Sequence, residues 1–276
     1  MAEALALFRF LHFAALMAAF GAAAFACYAA APAPAGTVRH AALVALASGL
    51  AMLPVTAARM AGENAAAFDP QILRAVLFDT GFGHVWCLHL ALLIPPAVVP
   101  RGPLAALFAA AALAGLGWVG HPAGHGLAVN QAVHLLAAGA WLGGLWPLSR
   151  LLLQARRSGD EAAVGRLREV LSRFSRMGYA AVALILASGI VDTVALVGSA
   201  RAFSDTAYGR LLALKLALVA AMLALAATNR FRLVPRLARG GAALAPLARA
   251  ALAELGLGLA VLAAVAVLGT WPPAAG

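Results

Sequence analysis

Residues 208–229, YGRLLALKLALVAAMLALAATN, decide the fold class. As a helix this run rises roughly 33 Å, enough to cross a hydrocarbon core of about 30 Å. Only Arg210 and Lys215 carry charge within it. Its apolar residues fall on every face of a helix, the pattern of a segment with no water-facing side. The run therefore reads as a transmembrane helix, and the rest of the chain repeats it. Further apolar runs of spanning length occupy 5–31, 39–58, 82–99, 103–120, 127–149, 175–198 and 250–270. Breakers separate them: Pro32 and Pro34, Gly62 to Pro70, Pro100 to Pro103, Gly120 to Gly126, and Pro235 to Pro246. The expected fold is all-α, an integral membrane bundle of eight helices forming one domain over 1–276.

Composition agrees. Of 276 residues, 64% are hydrophobic and 11% charged, against about 25% charged in a soluble domain. A soluble globule is excluded because it lacks polar surface, and disorder because it needs low hydrophobicity. Ala29-Ala30-Ala31 resembles a signal-peptide cleavage site. The preceding segment carries Glu3 and no Lys, and its apolar run exceeds a signal core, so it is read as a retained helix. Cys27 and Cys87 lie in apolar stretches and imply no disulfide; they read as buried small apolar residues.

The net charge of +10 would suggest nucleic acid in a soluble protein. Here its distribution sets orientation instead. Residues 150–176 hold seven Arg and residues 230–249 hold five, together twelve of the twenty cations. Cytoplasmic loops keep the Lys/Arg excess, so these two loops face the cytoplasm and both termini face the periplasm. Within the first of them, Ser158-Gly159-Asp160-Glu161 fits a capping box. Val164, Leu167, Leu171 and Phe174 follow on one stripe, predicting an amphipathic helix on the inner leaflet.

This topology sorts the histidines. His12, His84, His89, His121, His125 and His134 map to the outer half of the membrane or the outer loops, and only His40 lies at the inner face. Neutral imidazole is the commonest biological metal ligand, and an ionisable group in a span marks function by default. His12, His89 and His134, at similar depth, are expected to converge on one ion. Met52 and Met60, near the outer end of the second span, add thioethers suited to Cu(I). Asp192 and Lys215 lie roughly 10 Å below the outer surface on neighbouring helices and are expected to form a structural ion pair or to share a network with Tyr208 and Arg210. Glu254 is expected to pair with Arg230 or Arg249. Gly139 and Gly143, in a GxxxG spacing, suggest close helix contact.

Several stretches together resemble the CopD family of copper-handling membrane proteins. They are Gly124-His125; His134 to Leu145 with Trp141, Gly143 and Gly144; Arg173-Phe174-Ser175; Ser188-Gly189; Thr206 to Lys215 with Tyr208-Gly209-Arg210; and Asn229-Arg230 before Pro235. The family-like core covers about 118–238. The resemblance implies a multi-pass bacterial inner-membrane protein that takes copper, as Cu(II) or Cu(I), from the periplasmic face and moves it across. It implies a partner, a periplasmic copper carrier of the CopC type. His125 and His134 fall within the matching motifs. Two other readings fit the histidines: a cytochrome with haem b between His12 and His89 or His134, and a non-transporting copper delivery or assembly factor. No nucleophile motif or HExxH occurs, which points away from an enzyme.

Overall fold

The computed structural model describes residues 2–31, 35–119, 123, 126–158, 160–197, 200–237 and 243–272. The chain folds as α1 (Ala2–Ala29), α2 (Ala35–Ala61), α3 (Pro70–Phe78), α4 (Gly81–Val98), α5 (Gly102–Trp118), α6 (Ala128–Ser158), α7 (Glu161–Val197), α8 (Ala200–Asp205), α9 (Ala207–Leu237) and α10 (Leu244–Leu268). Seven of these are long and apolar enough to cross a membrane: α1, α2, α4, α6, α7, α9 and α10. The shorter apolar α5 coincides with the remaining run, 103–120. The fold is that of an all-helical, multi-pass membrane protein.

Local chemistry sets the helix starts. The Asp69 carboxylate accepts from the Gln71 and Ile72 amides while Pro70 opens α3. Thr80 Oγ1 accepts from Gly83 N at 3.0 Å to start α4, and Thr206 Oγ1 accepts from Gly209 N at 2.9 Å to start α9.

The bundle is built around α1, which packs against α2, α5, α6, α7 and α10. Leu16 and Phe25 of α1, Leu113 of α5, and Leu145 and Leu152 of α6 form its sealed centre. The GxxxG segment Gly139–Gly143 is a π-helical turn within α6 and meets α1 at Gly21. A methyl group on Gly21 would strike the Gly139 and Gly143 backbone, and one on Gly143 would strike the Met17 carbonyl. Glycine here brings two backbones into contact, as the spacing suggested. At the other extreme, α9 is the least enclosed span and leaves most of its surface to lipid.

Four local expectations change. The surface helix of 158–174 does not end at the membrane but runs unbroken into the next span as the 37-residue α7. No proline interrupts it, so helix formation simply continues. Its stripe (Leu167, Leu171 and Phe174) is buried in the bundle core instead of lying on lipid. Its start is capped by Asp160, whose carboxylate accepts from Ala162 N at 2.9 Å. Finally, Cys27 and Cys87 are exposed on the outer surface of their helices, not buried.

Candidate metal centre

His12 of α1 and His89 of α4 meet in the interior, each 1% exposed, with their Nε2 atoms 2.9 Å apart. His12 Nδ1 lies 2.9 Å from the Ala45 carbonyl of α2, and His89 Nδ1 lies 2.9 Å from the Ala112 carbonyl of α5. A carbonyl oxygen only accepts, so each Nδ1 carries the proton and donates it. A neutral imidazole has one N–H, so both Nε2 atoms then present lone pairs, aimed at each other. That arrangement is repulsive unless a cation, either a proton or a metal ion, sits between them. Backbone-fixed Nδ1–H with a free Nε2 is the usual preparation of a histidine metal ligand.

The surroundings hold the pair rigid and dry. Trp86 stacks on His89 at 4.9 Å and 20° and lies tilted 5.4 Å from His12. Phe82 stacks on Trp86 from its other face at 5.5 Å. The Trp86 indole donates to the Gly49 carbonyl at 3.2 Å. Gly49 also gives the His12 ring its room, since a Cβ there would stand 3.1 Å from the ring and 2.7 Å from Leu90. Ser48 Oγ stands 3.3 Å from His12 Nδ1 and itself donates to the Val44 carbonyl. Buried Met52 is one turn beyond Ser48 on the same face of α2.

The expected three-histidine convergence is not found. Among the described residues no three His, Cys, Asp or Glu side chains gather as a metal site. The reason is helix rotation. His134 is about 140° around α6 from Gly139, and His12 about 180° around α1 from Gly21. The α1–α6 seam is made by the glycines, so the two histidines point away from it on opposite sides. His84 is exposed, with Nε2 2.8 Å from the Phe78 carbonyl. His40 and Met60 are exposed too. His121 and His125 lie outside the described residues.

His134 belongs to a second polar cluster between α6, α7 and α9. Its Nδ1 is 2.9 Å from Ser188 Oγ, which donates to the Leu184 carbonyl. The Asn130 amide donates to Asp192 Oδ1 at 2.7 Å and to the Ser188 carbonyl at 3.0 Å. Lys215 is within electrostatic reach of both Asp192 and His134. Among the described residues, the ion pairs closed within 4.0 Å are Arg166–Asp160 and Arg173–Glu169. The expected Asp192–Lys215 pair is thus replaced by a looser arrangement in which the Asn130 amide holds the carboxylate. Arg210, another expected member, donates instead to the Ser204 carbonyl at 3.1 Å. Glu254 likewise bonds the Asn229 amide and neither arginine.

Asn130, Ser48, Trp86 and Gly49 were not singled out by sequence reasoning, and Ser188 entered only within a family-like motif. A signal existed for two of them. Asn130 precedes His134 by four residues and Ser188 precedes Asp192 by four, so each helix shows a polar i,i+4 pair to its neighbour.

These features define a multi-pass helical membrane protein with one buried imidazole pair and a separate intramembrane polar cluster. Comparison with known proteins narrows the class. A family model described as copper resistance protein D matches residues 168–268, and one described as its N-terminal domain matches 1–129. The chain is 33% identical to inner membrane protein YebZ of Escherichia coli (strain K12), over 96% of this chain and 97% of that one. It is 34% identical to copper resistance protein D of Pseudomonas syringae pv. tomato, over 71% and 70%. It is 32% identical to copper transport protein CutJ of Bacillus subtilis (strain 168), over 81% of this chain and 43% of that protein. No solved structure matches. The chain belongs to the copper resistance protein D family. His12 and His89 both fall in the N-terminal matched stretch.

Proposed function

We propose that this chain is a copper carrier of the bacterial inner membrane, taking copper at the periplasmic face and passing it inward through the His12–His89 pair. The observation that carries this reading is the opposition of two Nε2 lone pairs at 2.9 Å, with both Nδ1 protons committed to carbonyls. A cation is the group that relieves it. Metal–imidazole bonds run about 2.0–2.1 Å for zinc, so two in line need about 1 Å more than the present gap. Loading therefore moves the rings apart. A site with two strong ligands suits cargo that must also leave. Two-coordinate geometry and a neighbouring thioether in Met52 favour Cu(I).

The loop charges put both termini and the α4 start in the periplasm. His84 then stands on the entry side, where a separate carrier of the CopC type delivers the metal. His134 serves the second cluster and not the copper path. The rings are in contact with each other and with Trp86, which leaves no slot for a porphyrin plane and sets the haem reading behind the bare ion.

Metal analysis of the purified protein tests the site. One copper per chain is expected, lost in His12→Ala and His89→Ala and kept in His134→Ala. Unchanged stoichiometry in the first two ends the assignment. Proteoliposome uptake separates a carrier from a protein that only holds copper, and a Soret band would revive haem.

A further inference from the structure

A cavity of about 240 Å³ lies among α6, α7, α9 and α10. Its walls are apolar and aromatic: Trp141 of α6, Phe174 and Tyr179 of α7, and Phe231 of α9. At its head the Asn229 amide nitrogen donates to buried Glu254. The other half of that amide, Asn229 Oδ1, is buried with no hydrogen-bond partner, in a residue only 9% exposed. A buried acceptor left unpaired costs about 1–3 kcal/mol. Its position in the wall of a cavity points to a missing donor.

The mouth lies between α7 and α9. Tyr179 and Phe231 are exposed there, and Arg230 Nε donates to the Tyr179 hydroxyl at 3.2 Å across the gap. A molecule dissolved in the bilayer reaches the cavity sideways through this gap. Small-molecule pockets usually measure about 300–1,000 Å³, so this one takes a single ring and its substituents, with any tail left in lipid. Flat aromatic walls favour a flat ring. The free acceptor calls for a hydrogen-bond donor on that ring, which a phenolic O–H supplies.

From these features we infer that the cavity binds a membrane quinol, a phenolic ring with an apolar tail whose hydroxyl donates to Asn229 Oδ1. An acyl chain would fill the walls and leave Oδ1 unpaired. The inference does not depend on the copper reading, because the cavity shares no residue with the His12–His89 pair.

The test uses the full chain in quinone-free phospholipid nanodiscs under anaerobic conditions, with decylubiquinol as probe. Quenching of tryptophan fluorescence reports binding, and Trp141→Phe identifies the reporting residue. Saturable quenching is expected. Decylubiquinone, with no ring O–H, should bind about tenfold more weakly, the worth of one hydrogen bond. Asn229→Leu should produce a similar loss. That variant also strips Glu254 of its partner and risks the fold, so a second variant is needed. Gly178 lines the cavity, and a Cβ built there meets nothing within 4 Å. Gly178→Leu therefore fills the cavity in a well-folded helix and should abolish quenching while copper stoichiometry stays at the wild-type value. Absence of saturable binding, equal affinity for quinol and quinone, or undiminished binding in Gly178→Leu would each overturn the inference. So would native mass spectrometry finding a phospholipid held in the cavity that the quinol does not displace.

Discussion

The two intramembrane polar clusters leave histidine in different states. At His12–His89, each ring gives its only proton to a main-chain carbonyl, and what remains is two lone pairs in contact. At His134, Nδ1 meets the Ser188 hydroxyl with the Ile185 main chain beside it, and Asn130, Asp192 and Lys215 stand nearby. Carbonyls held in helices cannot rotate to offer a proton, so the first cluster is poised for an external cation. Hydroxyls, amides and charges can satisfy one another, so the second closes on itself. Burial alone does not distinguish a ligand from a structural histidine. What faces Nε2 does.

The sharpest way to break this contrast is to remove one imidazole from each cluster. His12→Ala or His89→Ala should weaken copper binding by more than about 100-fold, exceeding the 10–100-fold typical of an outer-shell change. His134→Ala should leave affinity within about twofold and lower thermal stability instead. Titration calorimetry with Cu(I) in a competing chelator measures the first, and thermal unfolding in detergent the second. Equal copper loss at His12 and His134 would merge the two clusters into one site.

Next in size is the charge of the second cluster. Asp192→Ala leaves the Asn130 amide with the Ser188 carbonyl as its remaining acceptor and leaves Lys215 without its nearby carboxylate. A loss of about 2–3 kcal/mol is expected, below the 3–5 kcal/mol of a closed buried pair because no close ion pair is broken. Asp192→Ala with Lys215→Met should recover part of it, about 1 kcal/mol or more in a double-mutant cycle on unfolding. Copper affinity should not move in either variant. Additivity of the two substitutions would show that Asp192 works through Asn130 alone.

The sequence already revealed the apolar runs and the polar residues within them, because length and hydropathy survive any helix rotation. It did not reveal which polar residues meet. His12, His89 and His134 share a depth, yet depth says nothing of direction. The α1–α6 seam at Gly21, Gly139 and Gly143 turns His12 and His134 away from each other, and that seam is a packing outcome. The unbroken α7 escaped notice for a related reason. The charged stretch 160–176 looked like a separate surface helix, but charge changes what surrounds a helix and does not end it. Asn130 was overlooked, and Ser188 was given no polar role, because uncharged polar residues cost little enough in a span to attract no attention.

Two smaller changes probe how tightly the first cluster is built. Gly49→Ala puts a methyl 3.1 Å from the His12 ring and 2.7 Å from Leu90. Leu90 can yield, whereas the ring is held by its carbonyl bond. A copper affinity about tenfold lower is expected, with a stability change under about 1.5 kcal/mol.

Ser48→Ala should have the least effect. Its hydroxyl is 3.3 Å from His12 Nδ1, while the Ala45 carbonyl is at 2.9 Å. The carbonyl is closer and remains after substitution, so the tautomer is unchanged and Nε2 keeps its lone pair. Only a weak second contact is lost, for about 0.5 kcal/mol and a two- to threefold fall in copper affinity by calorimetry. A loss as large as that of His12→Ala would mean that the hydroxyl, and not the main chain, directs the ring. The first cluster would then be organised by its serine, and the distinction between a poised pair and a self-satisfied network would rest on the facing Nε2 atoms alone.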